Sequence, residues 1–257
     1  MVTLGVDVGN KQTKVIILKD DEIIGKGIAE SGFDQKKAVE DALNEALRAA
    51  ELQKEDLQFV VATRSGSTEV PFANSIVTDV NAAARGTLRI FPAVRTVADV
   101  GAEEVRVIKL DKRGKVVDFA INDKCAAGAG SFVEAMSDAL EVPLEEMGAL
   151  SLQSEKAVSM NAQCAVFAES EVVSLIHAKT PKMDIARAVH DAMASRISSM
   201  VRRVGLQREM AIIGGVARNL GFVRCLEDDL EMTLLLPDEP EYVSALGAAI
   251  IAAEKAN

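Results

Sequence analysis

Two turns of small residues carry the cysteine chemistry of this chain. The first reads Asn122-Asp123-Lys124-Cys125-Ala126-Ala127-Gly128-Ala129-Gly130-Ser131 and runs into Phe132-Val133-Glu134-Ala135-Met136 at helical spacing. The second reads Asn161-Ala162-Gln163-Cys164 and leads into Ala165-Val166-Phe167-Ala168-Glu169-Ser170-Glu171, again an apolar helical pattern. Small residues let backbone approach a ligand closely, and the partial positive charge of a helix N-terminus favours thiolates and anions. Two such turns offer half of a four-thiolate site. A second copy of the chain would supply the other half.

Phosphate chemistry is the other candidate. Asp7-x-Gly9-x-x-x-Thr13-Lys14 puts a carboxylate at a strand end, then a turn whose amides and hydroxyl can hold phosphate oxygens. The carboxylate suits a Mg²⁺ ion that keeps its waters, and Lys11 or Lys14 adds positive charge. Asp99-x-Gly101 repeats the arrangement, so hairpins from two domains are expected to grip the β- and γ-phosphates of a nucleotide. Gly214-Gly215-Val216-Ala217-Arg218-Asn219 is a strand-to-helix glycine turn that allows close backbone approach to a nucleotide. It is not a G-x-G-x-x-G fingerprint, and there is no Walker P-loop.

The elements that position these loops are duplicated. Leu4 to Leu18 aligns without gaps on Thr96 to Leu110, placing Asp7 on Asp99, Gly9 on Gly101, Lys14 on Arg106 and Leu18 on Leu110. Each copy reads as strand, tight turn, strand, and then a third strand, Glu22–Ile28 or Lys115–Ile121. A helical pattern follows each, Asp34–Glu51 and Gly130–Leu140. Phe59–Thr63 reads as a strand and Asp79–Ile90 as a helix. Ala165–Val204 is a helical insertion. Met210–Gly215 reads as a strand, Ala217–Asp229 as a helix, Met232–Leu236 as a strand ended by Pro237, and Glu241–Glu254 as a closing helix. The expected fold is α/β, with domains over 1–94 and 95–257, each a mixed five-stranded sheet with helices, around a nucleotide cleft.

Composition narrows the partners. The 257 residues carry a formal charge of −10, and 49% are hydrophobic, enough for real cores. An acidic chain with pI about 4.9 argues against nucleic acid or an anionic membrane as a partner. The opening enters a strand pattern at once, with no signal-peptide pattern and no 18-residue apolar run, so a cytoplasmic location is expected. Three cysteines without a C-x-x-C pair fit a reducing compartment. Cys225 lies in the amphipathic run 220–230 and reads as a small buried hydrophobe. His177 and His190 fall in helical runs and read as structural or surface residues.

Together these motifs resemble the acetate-and-sugar-kinase, heat-shock-chaperone and actin superfamily. Within it they resemble the iron–sulfur ATPases that activate 2-hydroxyacyl-CoA dehydratases and serve benzoyl-CoA reductases. The resemblance spans essentially the whole chain, and its most specific pieces are Asn122–Gly130 and Cys164–Glu171. It implies duplicated actin-like, ribonuclease H-like ATPase domains and a homodimer sharing one [4Fe–4S] cluster through Cys125 and Cys164 of each subunit. It further implies ATP/ADP and Mg²⁺ as cofactors. The implied electron donor is a ferredoxin or flavodoxin, and the implied acceptor an iron–sulfur acyl-CoA dehydratase or reductase. By motif match the nucleotide falls to Asp7, Gly9, Asn10, Lys11, Gln12, Thr13 and Lys14, to Asp99, Gly101, Ala102 and Glu103, to Gly128 and Gly130, and to Gly214, Gly215, Val216 and Asn219. Asp7, Asp99 and Glu103 are the candidate catalytic carboxylates.

The chain departs from that pattern in three places. An Asp-Ile-Gly-Gly-Gln-Asp-like loop appears as Asp99-Val100-Gly101-Ala102-Glu103-Glu104, with a carboxylate where an amide is usual. A Thr-Gly-Tyr-Gly-Arg-like segment appears as Thr63-Arg64-Ser65-Gly66-Ser67, and Asn81-Ala-Ala-Ala84 replaces a His-Ala run. Glu169 and Glu171 could orient the cluster helix, contact a partner or simply be solvated. A small-molecule kinase, with Asp99 or Glu103 as general base, and a nucleotide-regulated assembly protein remain the alternatives. The kinase leaves the cysteine turns unexplained, and the assembly protein predicts colourless preparations and nucleotide-dependent polymerisation.

Overall fold

The structure, a computed structural model, describes residues 1–123, 129–160 and 165–256. In chain order the first elements are β1 (Val2–Val8), β2 (Gln12–Lys19), β3 (Glu22–Glu30), α1 (Gln35–Ala50), β4 (Phe59–Thr63), β5 (Ser75–Ile76) and α2 (Asp79–Ile90). Then come β6 (Thr96–Val100), β7 (Val105–Leu110), β8 (Val116–Asn122), α3 (Gly130–Leu140) and α4 (Leu144–Ser151). The last are α5 (Ala165–His177), α6 (Lys182–Val204), β9 (Met210–Ile213), α7 (Leu220–Leu230) and α8 (Val243–Ala256). These elements pack as two compact units that interleave along the chain. One is Met1–Val97, Leu110–Val117 and Pro237–Asn257; the other is Ala98–Lys109 and Asp118–Leu236.

In the first unit the strand order is β3-β2-β1-β4-β5. β1 pairs antiparallel with β2 and parallel with β4, and this register sets Asp7 beside Lys14 on one side and Thr63 on the other. From Thr3 to Val8 every residue of β1 is buried, as expected for a strand covered on both faces. One cover is α1, whose Ala38, Val39, Ala42, Leu43, Ala46 and Leu47 recur at helical spacing and are buried. Its start is fixed by Asp34, which accepts the Lys37 N–H at 3.1 Å. The other cover is α8, and it comes so close that a Cβ on Gly5 would sit 2.1 Å from the Ala245 carbonyl oxygen. Only glycine permits that approach.

The second unit carries a sheet of order β8-β7-β6-β9. Its core joins Phe132, Met136, Met147, Ile185, Met193 and Phe222, all fully buried. Each such side chain contributes roughly 1.5–3 kcal/mol by burial. The Met232–Leu236 segment, read from sequence as a fifth strand, forms only an isolated parallel bridge between Ala211 and Leu235. Leu235 makes both bonds of a ladder, but the Leu234 N–H donates to Glu227 Oε1 and the Met232 N–H closes the end of α7. Side-chain capping here takes donors that a longer strand would need. Helix α4 was not anticipated. The expected single helix 217–229 instead begins as a 3₁₀ turn, Gly215–Arg218, before Asn219 caps α7.

Candidate functional site

The first hairpin turns at Gly9, whose N–H donates to the Gln12 carbonyl at 3.2 Å. Asp7, at the C-terminal end of β1, is fully buried. Its Oδ1 lies 2.5 Å from Arg64 Nε and its Oδ2 lies 3.9 Å from Lys14 Nζ. The Arg64 contact is a meeting of charges without the alignment of a hydrogen bond. Lys14 Nζ also donates to the Gln12 carbonyl at 3.1 Å. The carboxylate is thus already faced by two cations, which does not fit a bare ligand for Mg²⁺. Thr13 is fully buried with its hydroxyl 3.0 Å from Ser31 Oγ, and Ser31 Oγ donates to the Gly9 carbonyl at 2.6 Å. The Thr13 hydroxyl therefore braces the turn from within. Asn10 accepts from Ser65 Oγ at 3.0 Å, while Lys11 and Gln12 are exposed on the turn.

Arg64 is the residue that sequence reasoning undervalued. It follows β4 with φ 69° and ψ −177°, a region that is essentially the preserve of glycine and costs other residues on the order of 1–3 kcal/mol. Its one signal in the sequence was an arginine in a position where the related segment has glycine.

The second hairpin reproduces the first. The Gly101 N–H donates to the Glu104 carbonyl at 2.9 Å, and Asp99 is fully buried at the end of β6. Arg106 Nη1 lies 3.8 Å from Asp99 Oδ2, but its Nη2 is bound by Glu104. Glu103 is exposed at the tip. Two further segments close on this loop, the start of α3 and the glycine turn after β9. The Gly130 N–H donates to the Gly101 carbonyl at 3.0 Å, and the Ser131 N–H donates to the Ala102 carbonyl at 2.7 Å. Gly214 has φ +90°, and a Cβ there would fall 2.4 Å from the Val100 carbonyl oxygen and 2.9 Å from Asp99 Oδ1. Val216 Cγ2 would meet a Cβ on Gly130 at 2.8 Å. Asp99, Gly101, Ala102, Gly130, Gly214 and Val216 therefore form one cluster, and a Cβ on Gly215 would point into open space.

Asn219 caps α7. Its Oδ1 accepts the Phe222 N–H at 3.0 Å, and its Nδ2 lies 3.0 Å from His190 Nε2. Because the amide oxygen is committed to the helix cap, Nδ2 is the donor and His190 Nε2 the acceptor. His190 is fully buried on α6. Burial, and then the nearby Arg187 charge, lower its pKa to about 4. It is a structural residue that sequence reading placed in a helix without a partner.

Cys125, Cys164 and Gly128 lie outside the described residues. What borders them is clear. β8 ends at Asn122, α3 begins at Gly130 and α5 begins at Ala165. The segment running toward Cys164 is anchored by Asp184 in the first turn of α6, which accepts from Ser154 Oγ at 2.8 Å and from the Glu155 and Lys156 N–H groups at 3.2 and 3.3 Å. The Ser154 hydroxyl, aided by those amides, holds the Asp184 carboxyl below the usual range. Cys225 is buried in α7, and burial pushes its thiol up, as expected of an inert core cysteine. Glu169 and His177 are exposed. No helix among the described residues is long and apolar enough to cross a membrane.

Residues 4–252 match the BadF/BadG/BcrA/BcrD ATPase family. The 2-hydroxyisocaproyl-CoA dehydratase activator of Clostridioides difficile is 37% identical over 256 residues, covering 100% of this chain and 96% of that protein. The (R)-2-hydroxyglutaryl-CoA dehydratase activating ATPase of Acidaminococcus fermentans is 38% identical, covering 99% of this chain and 98% of its own. A solved structure of the Clostridium difficile activator with bound ADPNP superposes at a TM-score of 0.95, with 36% identity over 100% of this chain and 96% of that one.

Proposed function

Since the chain belongs to the BadF/BadG/BcrA/BcrD ATPase family, we propose that it is an ATP-dependent reductive activator in which two copies share one [4Fe–4S] cluster. Cys125 and Cys164 of each copy would be the four thiolates, and the cluster would supply a one-electron store whose potential responds to charge, hydrogen bonding and exposure. The acceptor is an iron–sulfur acyl-CoA dehydratase or benzoyl-CoA reductase-type enzyme, and the donor a ferredoxin or flavodoxin, in the cytoplasm. The relatives' roles as dehydratase activators support the acceptor class.

The observation that carries this reading is the pair of backbone bonds from Gly130 and Ser131 to Gly101 and Ala102. They tie the second phosphate loop to the first turn of α3, the helix opened by the Cys125 turn. Nucleotide-driven movement of residues 101–104 is thereby passed to the helix N-terminus nearest a cluster thiolate. Each helix dipole contributes on the order of 0.3–1 kcal/mol to nearby negative charge. Moving one electron by about 100 mV costs roughly 2.3 kcal/mol. A shift of two helices is of the right scale to gate the transfer. Mg²⁺ carried by the nucleotide would sit, through water, against Asp99 and the acidic loop that follows it. Exposed Phe119 and Ile121 on β8, and Val166, Phe167 and Val173 on α5, flank the two cysteine turns and suit a face covered by a second copy.

Oxygen-free purification tests the proposal by iron, sulfide, subunit stoichiometry and ATP turnover measured together. Expected are a brown dimer absorbing near about 400 nm, four irons per dimer, and a colourless but folded Cys164→Ser variant. Cys225→Ser keeps the colour. An iron-free monomer that still binds nucleotide defeats the proposal. Such a protein would return the kinase and assembly readings to the front.

A further inference from the structure

The glycine turn after β9 is closed by Asn219, whose backbone N–H donates to the Val216 carbonyl at 2.9 Å while its Oδ1 accepts the Phe222 N–H at 3.0 Å. Its amide group is fixed from two more helices. A Cβ on Gly148 of α4 would lie 2.6 Å from Asn219 Oδ1, and His190 Nε2 of α6 stands 3.0 Å from Asn219 Nδ2. For Nε2 to accept there, the ring must be neutral with its proton on Nδ1. That Nδ1 is buried and has no hydrogen-bond partner among the described residues. A buried donor left unpaired costs stability, and an apolar side chain of similar size would fill α6 without that cost. The imidazole is therefore poor core filler. What it adds over an apolar side chain, among the described residues, is the acceptor facing Asn219.

We propose that His190 is a positioning residue for the nucleotide: by holding the Asn219 amide it keeps the turn of Gly214, Gly215 and Val216 in the shape that takes the nucleoside end, without touching ligand itself. The near end of the turn is fixed by packing, since Gly214 lies against the Val100 carbonyl. Gly215 is exposed, and a Cβ there meets nothing within 4 Å, so its backbone is open to close approach. Asn219 is the far end, and the bond from α6 is what fixes its side chain there. Such support acts alike on the bound ground state and the transition state, so it governs affinity and not turnover. The proposal rests on the nucleotide-binding reading above.

The test is a cycle of variants on the full chain, read by the ADP dissociation constant in titration calorimetry and by KM and kcat for ATP hydrolysis. His190→Leu is expected to weaken ADP about fivefold, the scale of one neutral hydrogen bond. Its KM should rise by a similar factor while kcat stays within about twofold. His190→Gln keeps an acceptor and is expected to bind ADP within about twofold of wild type. Asn219→Ser keeps a cap for α7 but is too short to reach His190, and should match the leucine variant. Combined, His190→Leu and Asn219→Ser should weaken ADP no more than either alone. A merely structural histidine would lower kcat through lost folded protein and leave KM and the ADP constant unchanged. That result overturns the proposal, as do additive losses in the double variant. A wild type that binds no ADP defeats the nucleotide reading itself, and this proposal with it. Wild-type binding with an unaltered His190→Leu constant defeats this proposal alone.

Discussion

Residues 7–14 and 99–106 close their turns alike, Gly9 N–H to the Gln12 carbonyl and Gly101 N–H to the Glu104 carbonyl, and set a basic side chain 3.9 or 3.8 Å from an aspartate. The described ion pairs around the two frames differ. Asp7 has two cations, Arg64 and Lys14. Asp99 shares one, Arg106, with Glu104, and Glu103 adds a further carboxylate at the tip. The turn hydrogen bonds and the basic residue beside each aspartate are common to both copies, while the other charged neighbours differ. The same hairpin frame therefore carries two basic partners at Asp7 and a basic and an acidic neighbour at Asp99.

Deleting each aspartate tests that contrast most severely. Asp7→Ala leaves Arg64 and Lys14 buried without their shared counter-charge, and a loss of about 3–5 kcal/mol is expected. Asp99→Ala leaves Arg106 still bound by Glu104, so about 1–3 kcal/mol is expected, the penalty for donors left short of an acceptor. Urea denaturation of both variants measures the difference. Equal losses would mean that the two frames are electrostatically alike after all.

The sequence revealed the frames but not their surroundings, for physical reasons. Hairpins announce themselves by local alternation and glycine, so β1–β2 and β6–β7 were legible, as were α1, β4 and α2, whose bounds match within a residue. Met232–Leu236 also reads as a strand locally, yet its N–H groups are claimed by Glu227, a competitor fixed only by tertiary packing. The partners of Asp7 and Asn219 are likewise non-local. Arg64 is brought to Asp7 by the pairing of β1 with β4, and His190 reaches Asn219 from another helix. No spacing rule encodes such meetings.

The two regions should also respond differently to acid. The first hairpin is braced by the hydroxyls of Ser31 and Thr13, which do not titrate, whereas Asn219 beside the glycine turn leans on His190. The His190 pKa is lowered from 6.5 to about 4 in the folded state. Between those values the unfolded chain binds the proton and the folded chain does not, so this contribution is complete above pH 6.5 and is lost as pH falls toward 4. The loss is on the order of 3 kcal/mol. A His190→Gln variant should show a flatter stability profile across that window. An unchanged slope would assign the acid sensitivity elsewhere.

Smaller effects separate the adjacent glycines. Gly214→Ala forces a Cβ against the Val100 carbonyl and Asp99 at φ +90° and should cost about 1–3 kcal/mol. Gly215→Ala meets nothing within 4 Å and should stay within about 0.5 kcal/mol of wild type. Thermal melts of the pair measure this.

The smallest change is Ser31→Ala. It removes the donor to the Gly9 carbonyl and the partner of the Thr13 hydroxyl, so about 1 kcal/mol of stability is expected to go. More informative is what the loosened turn does to ligand. If the first hairpin grips phosphate, the Gly9 turn must hold its amides fixed, and Ser31→Ala should weaken ADP binding several-fold by calorimetry while Arg64 and Lys14 stay in place. A variant that loses the stability but keeps the affinity would show that the charges alone recognise phosphate, leaving the turn as mere support for Asp7.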